Sequence, residues 1–190
     1  MTDTATRLIE AALETVGTKG VAGASSRDIA AAAGVNLQAI TYHFGSKEDL
    51  VAGALLRAVR AWVEPVLAIL RRDEDPATRM FAAVEVLQRS LEEARAMVPV
   101  YLEALVHSRR NEPLREGLEA LVGELRRFLR DQITELRAGG YLPSWVDPDA
   151  MAMLLVAVAD GIALHAALEP DLDHRALAGQ ALQLLLAARH

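Results

Sequence analysis

The chain contains no cysteine, only 4% aromatic residues, and no stretch where β-branched residues alternate with polar ones. Without cysteine there can be no disulfide framework, thiolate metal centre or cysteine nucleophile. Without period-two alternation there is no half-buried strand, which leaves helix as the building material. The opening MTDTATRLIE lacks the basic segment and apolar run of a secretory leader. Asp160 and His165 interrupt the most apolar stretch, Met151 to Leu168, which reads as too short and too polar to span a bilayer. A cytoplasmic location with no membrane partner is therefore expected. An excess of positive charge is also missing. Twenty Lys and Arg residues against 26 Asp and Glu give a net charge of −6, which argues against non-specific coating of nucleic acid. No G-x-S-x-G, H-E-x-x-H or phosphate-cradling glycine loop is present, so the sequence points away from an enzyme and implies no metal or other cofactor.

What is present is material for a helical core. At 190 residues and 52% hydrophobic, the chain can bury about 70% of its unfolded surface. Leu8, Ile9, Leu13 and Val16 stripe a first helix that should end near Gly17 to Gly20. Ser25 and Asp28 stand in the S-x-x-D relation that caps a helix start. A short helix follows from Ile29 to about Ala33 and stops at Gly34, and a third begins after Val35 with Asn36 as cap. Ser46 with Asp49 repeats the capping pattern and opens a long fourth helix to about Arg72. Pro65 should bend that helix or end its first part. Five further helices are expected at roughly 76 to 95, 98 to 110, 113 to 139, 148 to 168 and 174 to 188. Pro76, Pro113 and Pro148 sit in first turns, and Pro99 begins the second of the five.

The segment SSRDIAAAAGVNLQAITYHFGSKED, residues 25 to 49, has the layout of a helix-turn-helix, whose second helix enters the DNA major groove. Ile29, Ala30, Ala33, Val35 and Ile40 can form the small core that sets the helix crossing. Asn36, Leu37, Gln38 and Thr41 are then left facing outward. Asn36 and Gln38 can pair with adenine edges, Leu37 can meet a thymine methyl, and Thr41 can serve a base or a phosphate. Lys47 opens the fourth helix, where its ammonium and the free N–H groups of the first turn could share one phosphate.

Several residues in this segment carry a family resemblance: Arg27-Asp28-Ile29-Ala30, Ala33-Gly34-Val35, Ile40, Tyr42-His43-Phe44 and Ser46-Lys47-Glu48-Asp49-Leu50. On them the chain resembles the TetR family of bacterial transcriptional regulators. The resemblance implies an all-α fold, in which a three-helix DNA-binding domain over residues 1–46 is joined through the long fourth helix to a helical ligand-binding and dimerisation domain over residues 47–190. It places Tyr42, His43 and Lys47 at the DNA backbone, with Ser26 and Arg27 near phosphate. It also implies a ligand-responsive homodimeric repressor that binds a palindromic operator on double-stranded DNA and is released by an unidentified small molecule. Asp3 precedes Arg7 and no basic cluster accompanies it, so a strong minor-groove contact from the N-terminal arm is not expected. The competing reading is a helical carrier or enzyme with a merely structural N-terminal hairpin.

In the C-terminal part, Trp62, Met80, Phe81, Met97, Tyr101, His107, Phe128 and Met153 are candidates for a ligand pocket, although residues at such spacing equally fill a core. The last two helices carry more apolar surface than an outer pair should expose. Leu154, Leu155, Val158 and Ile162 on one, with Leu182 and Leu185 on the other, would be covered by a second copy in a four-helix bundle. One large monomeric core is the alternative. Arg126, Arg127, Arg130 and Arg137 read as a solvated face paired with Glu124, Asp131 and Glu135. Loop and capping roles account for Glu169, Asp171, Asp173 and His174 better than a metal site.

Overall fold

The computed structural model describes residues 3–169 together with 171, 173, 176, 177, 179 and 180, and only the backbone of 91 and 92. Eight helices are delimited among the described residues: α1 (Asp3–Gly23), α2 (Ser26–Ala32), α3 (Gln38–Phe44), α4 (Lys47–Leu70), α5 (Pro76–Glu92), α6 (Ala94–Ser108), α7 (Glu112–Ala138) and α8 (Pro148–Leu168). There is no strand among them. The expected final helix, with Leu182 and Leu185, falls largely outside the described residues.

Two compact units divide the chain, one of residues 1–61 and 99–120, the other of 62–98 and 121–190. The boundary drawn from sequence, between Ser46 and Lys47, lies inside the first unit, because the first half of α4 belongs with α1, α2 and α3. Leu8, Ile29, Leu50, Val51 and Leu55 are fully buried there. Gly117 of α7 allows a close approach: a Cβ at this position would stand 2.3 Å from Cδ2 of Leu56.

The second unit has two apolar clusters. One joins Ile69 and Leu70 of α4, Ala83 of α5, Leu129 and Ile133 of α7, Val146, and Ala152 of α8. The other joins Ala94 and Val98 to Ala163 and Ala166, with Trp62 and Ile162 packed against it. Ion pairs fasten the rim of this unit, Arg71 to Glu64 (2.5 Å) and Glu124 (2.6 Å), and Arg79 to Glu135. Glu124 and Glu135 thus pair with Arg71 and Arg79. Within the basic run of α7 Arg130 pairs with Asp131, at 2.8 Å, and Arg137 donates to the carbonyl of Val146 at 3.0 Å.

Two element boundaries differ from the sequence expectation, the end of α1 and the start of α6. Helix α1 continues to Gly23, passing through a single non-helical residue, Gly20 (φ 68°, ψ 168°). Helix α4 runs through Pro65 to Leu70, close to the expected end near Arg72. A mid-helix proline costs about 3 kcal/mol, and burial of Leu67, Ile69 and Leu70 beyond it offsets that loss. Helix α6 begins at Ala94 rather than at Pro99, its first turn anchored where Met97 N donates to Glu93 O at 3.1 Å. By contrast α8 begins where expected. Asp147 accepts from Ala150 N at 2.7 Å, and Pro148 occupies the first turn.

Candidate nucleic-acid interface and apolar cavity

The reading head is assembled from short-range chemistry. Ser25 caps α2: its Oγ accepts from Asp28 N at 3.1 Å and donates to Asp28 Oδ2 at 2.6 Å, while Ser25 N donates to the same oxygen at 3.3 Å. Lys19 of α1 adds an ion pair to Asp28 at 3.0 Å. The Ser25 hydroxyl, and next the Lys19 ammonium, hold the Asp28 carboxyl near a pKa of about 2. The turn after α2 needs a residue with positive φ, and Gly34 supplies it at +61°. Asn36 Oδ1 accepts from Gln38 N at 3.0 Å, so the Asn36 side chain braces the start of α3. Ser46 caps α4 in the same way as Ser25 caps α2, accepting from Asp49 N at 3.0 Å.

Only Ile40 of α3 is buried. It faces the same interior as Ile29, Ala30 and Ala33, which are also buried, whereas Val35 is half-buried. The consequence is an outward face. Asn36, Leu37, Gln38, Thr41 and Tyr42 are all exposed, Tyr42 by 84%. His43 is half-buried between two rings, edge-on to Tyr42 at 4.9 Å and to Phe44 at 6.4 Å between centroids. Arg27 is exposed and Ser26 half-buried on α2. The structure thus gathers Asn36, Leu37, Gln38, Thr41 and Tyr42 on or beside one seven-residue helix.

The cations of this unit are not equally available. Arg7 donates through Nη2 to the carbonyls of Ala33 and Gly34 and lies 3.9 Å from Asp3. Lys19 is taken by Asp28. Lys47 Nζ donates to Ala24 O at 3.2 Å and lies 3.5 Å from Glu48, so it pins the start of α4 to the turn before α2. Arg27 has no ion pair among those found for the described residues. No local pattern signals the clamping roles of Arg7 and Lys19, because each partner is a backbone carbonyl or a capping residue brought near by the fold.

In the second unit an apolar cavity of about 160 Å³ lies between helices. Its walls include Trp62, Val63 and Val66 of α4, Met80, Val84 and Leu87 of α5, Leu125 and Leu129 of α7, and Leu155, Val156 and Asp160 of α8. Trp62 Nε1 donates to Ser90 O at 3.2 Å. Of the eight pocket candidates, Trp62 and Met80 line this cavity. Phe81 and Met153 are exposed by 56% and 60%. Phe128 packs beside the first cluster, with the Arg71 guanidinium 5.6 Å from its ring centre. Met97 and Tyr101 are half-buried elsewhere. His107 belongs to the first unit, where it lines a groove with Lys47, Arg109 and Arg110. No sequence signal separates the wall residues from the core, because both follow the same helical period.

Helix α8 presents its apolar residues in two directions. Leu155 faces the cavity and Ile162 packs against the Ala94 cluster, whereas Leu154 (50%), Val158 (36%), Leu164 (39%) and Leu168 (67%) are exposed. With 21 residues and a mean hydropathy of 2.0, α8 is long and apolar enough to cross a membrane by length and composition, contrary to the sequence expectation. Asp160 and His165 do not lower the average enough to change that. Only 17% of this stretch is buried.

Comparison with known proteins agrees with this layout. Residues 8–54 match the family model described as bacterial regulatory proteins of the tetR family, and residues 76–189 match the C-terminal model of BetI-type transcriptional repressors. The transcriptional regulator PksA of Bacillus subtilis is 26% identical over 86% of this chain and 78% of its own length. The regulator BetI of Brucella anthropi is 26% identical over 90% of this chain and 85% of its own. Among solved structures, a transcriptional regulator from Rhodococcus superposes with a TM-score of 0.77 at 27% identity, covering 98% of this chain and 97% of that one. SmeT, the repressor of a multidrug efflux pump in Stenotrophomonas maltophilia, shares the fold with a TM-score of 0.74 at 23% identity, over 97% of this chain and 89% of SmeT.

Proposed function

Because the chain belongs to the TetR family of bacterial regulatory proteins, and is a DNA-binding transcriptional regulator and not an enzyme, we propose that it is a cytoplasmic homodimeric repressor. Its two recognition helices read the halves of a palindromic operator, and a small molecule in the second unit releases it. The exposed face of α3 carries this reading. Asn36, Gln38 and Thr41 offer hydrogen bonds and Leu37 an apolar contact, on a helix held from behind by Ile40. Tyr42, His43 and Lys47, with Ser26 and Arg27, hold the backbone on either side. The match over residues 8–54 disfavours a carrier with a merely structural hairpin.

The exposed leucines and valine of α8 belong to a second copy in this reading. A lipid partner would place the Asp160 carboxylate near the bilayer centre, at a cost of about 2.5–3.5 kcal/mol. Packing two copies of the helix covers the apolar face while leaving the carboxylate a route to water. Release requires that the effector bind one arrangement of the dimer better than the other. The candidate lever is α4, which carries Lys47 at its start and Trp62, Val63 and Val66 of the cavity wall further along.

The test is a titration of DNA from upstream of the chain's own coding sequence, at several salt concentrations, with and without candidate metabolites. The expected result is tight binding that weakens steeply with salt and is lost on addition of one metabolite. Failure of ligand-free protein to bind any upstream fragment overturns the reading.

A further inference from the structure

The reading head is short of free positive charge. Of the four cations in residues 1–50, Arg7, Lys19 and Lys47 hold groups within the head. A DNA backbone has to be met by cations, because each neutralised phosphate releases counterions and that release supplies much of the affinity. The compact unit that contains the head does not end in α4, however, and takes in residues 99–120 as well. These bring the turn between α6 and α7 beside the start of α4. Arg109 and Arg110 of that turn share the walls of one open groove with Lys47 and the end of α1.

Both arginines are exposed, and neither has an ion pair among the described residues. Arg115, one turn into α7, is different, since it pairs with Glu112 and, at 2.7 Å, with Glu119. The turn that presents the two arginines is fixed at both ends. Arg110 N donates to His107 O at 3.0 Å, and Asn111 Oδ1 accepts from Leu114 N at 2.9 Å. Of the two carboxylates in the groove, Glu48 lies 3.5 Å from Lys47. Glu103 is set against the end of α1, its Oε1 3.5 Å from where a Cβ at Gly20 would stand. An open groove suits a phosphate backbone, which runs along a surface and needs no enclosure. Arg109 and Arg110 lie outside residues 8–54, the part that matches the DNA-binding family model.

We propose that Arg109 and Arg110 form a second, sequence-independent DNA contact on each protomer, taking backbone phosphates next to those met at the start of α4. This rests on the operator-binding reading above and extends its interface to the turn between α6 and α7.

The test is an anisotropy titration of full-length protein at several salt concentrations, against the upstream fragment that it binds most tightly and a scrambled duplex of equal length. Arg109→Ala combined with Arg110→Ala should weaken both duplexes at least about tenfold. It should also lower the salt slope by about two to four per dimer, since each phosphate contact contributes about 0.9. Arg109→Lys combined with Arg110→Lys should keep the slope, because a phosphate accepts an ammonium in place of a guanidinium. Arg115→Ala should change neither affinity nor slope. If the double-alanine protein loses its helical signal, the two single-alanine proteins decide, each with a slope lowered by about one to two. An unchanged slope in the alanine proteins overturns the inference, and so does an equal loss of slope in Arg115→Ala, which would report only the overall charge of the chain. Native protein that binds no upstream fragment sinks the operator reading and this contact with it, whereas native binding with an unchanged slope in the alanine proteins sinks the second contact alone.

Discussion

Arg7 Nη2 lies 3.1 Å from the carbonyl oxygen of Gly34, donates to it, and so ties α1 to the turn of the helix-turn-helix. The same nitrogen also donates to Ala33 O. Gly34 holds φ at +61°, and a Cβ there would stand 2.9 Å from this nitrogen.

Gly34→Ala should therefore lower the stability of the reading head by about 1–2 kcal/mol from the left-handed backbone alone, and displace Arg7 as well. Thermal unfolding with a helical signal measures the first effect. The second should appear as non-additivity between Gly34→Ala and Arg7→Met, and strict additivity would rule out the clamp.

Ser25→Ala should cost about 0.5–2 kcal/mol, as expected for losing an N-cap hydroxyl, and should also free Asp28. The Asp28 carboxyl sits at about 2 in the folded chain against an ordinary 3.8. A depressed carboxylate pKa contributes stability that is fully present above the ordinary value and is lost as pH falls through the lowered one. Acid unfolding between pH 4 and pH 2 should accordingly flatten in Asp28→Asn, and an unchanged acid limb would contradict the pairing with Ser25 and Lys19.

On the DNA side, Gln38→Ala should alter base preference at one operator position in each half-site, by about 1–3 kcal/mol. Arg27→Ala should instead weaken all sequences alike and reduce the salt slope by about one per reading head. Lys47→Ala should do both of the latter and destabilise the head, since Lys47 also holds Ala24 O. Anisotropy titrations against the operator and a scrambled duplex separate these outcomes.

Leu154→Glu combined with Val158→Glu places two charges on the exposed face of α8. The expected result is a monomeric mass at micromolar concentration and at least about a 100-fold loss of operator affinity, since two linked heads lose their mutual effective concentration. A dimeric mass with unchanged affinity would move the interface elsewhere.

Much of the fold was legible in short-range patterns. Ser25 with Asp28, Ser46 with Asp49, and Asp147 before Pro148 each mark a helix start whose hydrogen bonds close within three residues. The start of α6 ahead of Pro99 was not legible. Whether a proline opens a helix or sits inside it depends on what the residues before it bury, and Ala94 and Val98 take up that burial in the fold.

The charge of the reading head shows the same division. Residues 1–50 carry four cations against six carboxylates, a net −2 that composition alone reveals. The amino-acid sequence by itself determined the all-helical architecture, the helix-turn-helix and the family, because capping pairs, helical periodicity and a contiguous motif act over a few residues. Only the tertiary structure decided that Arg7, Lys19 and Lys47 engage groups within the head while Arg27 makes no ion pair among the described residues, and that Trp62 and Met80 line the apolar cavity of the second unit while Phe81 and Met153 do not. Those assignments depend on which residues the packing brings together from different helices and turns, and a local pattern carries no record of such contacts.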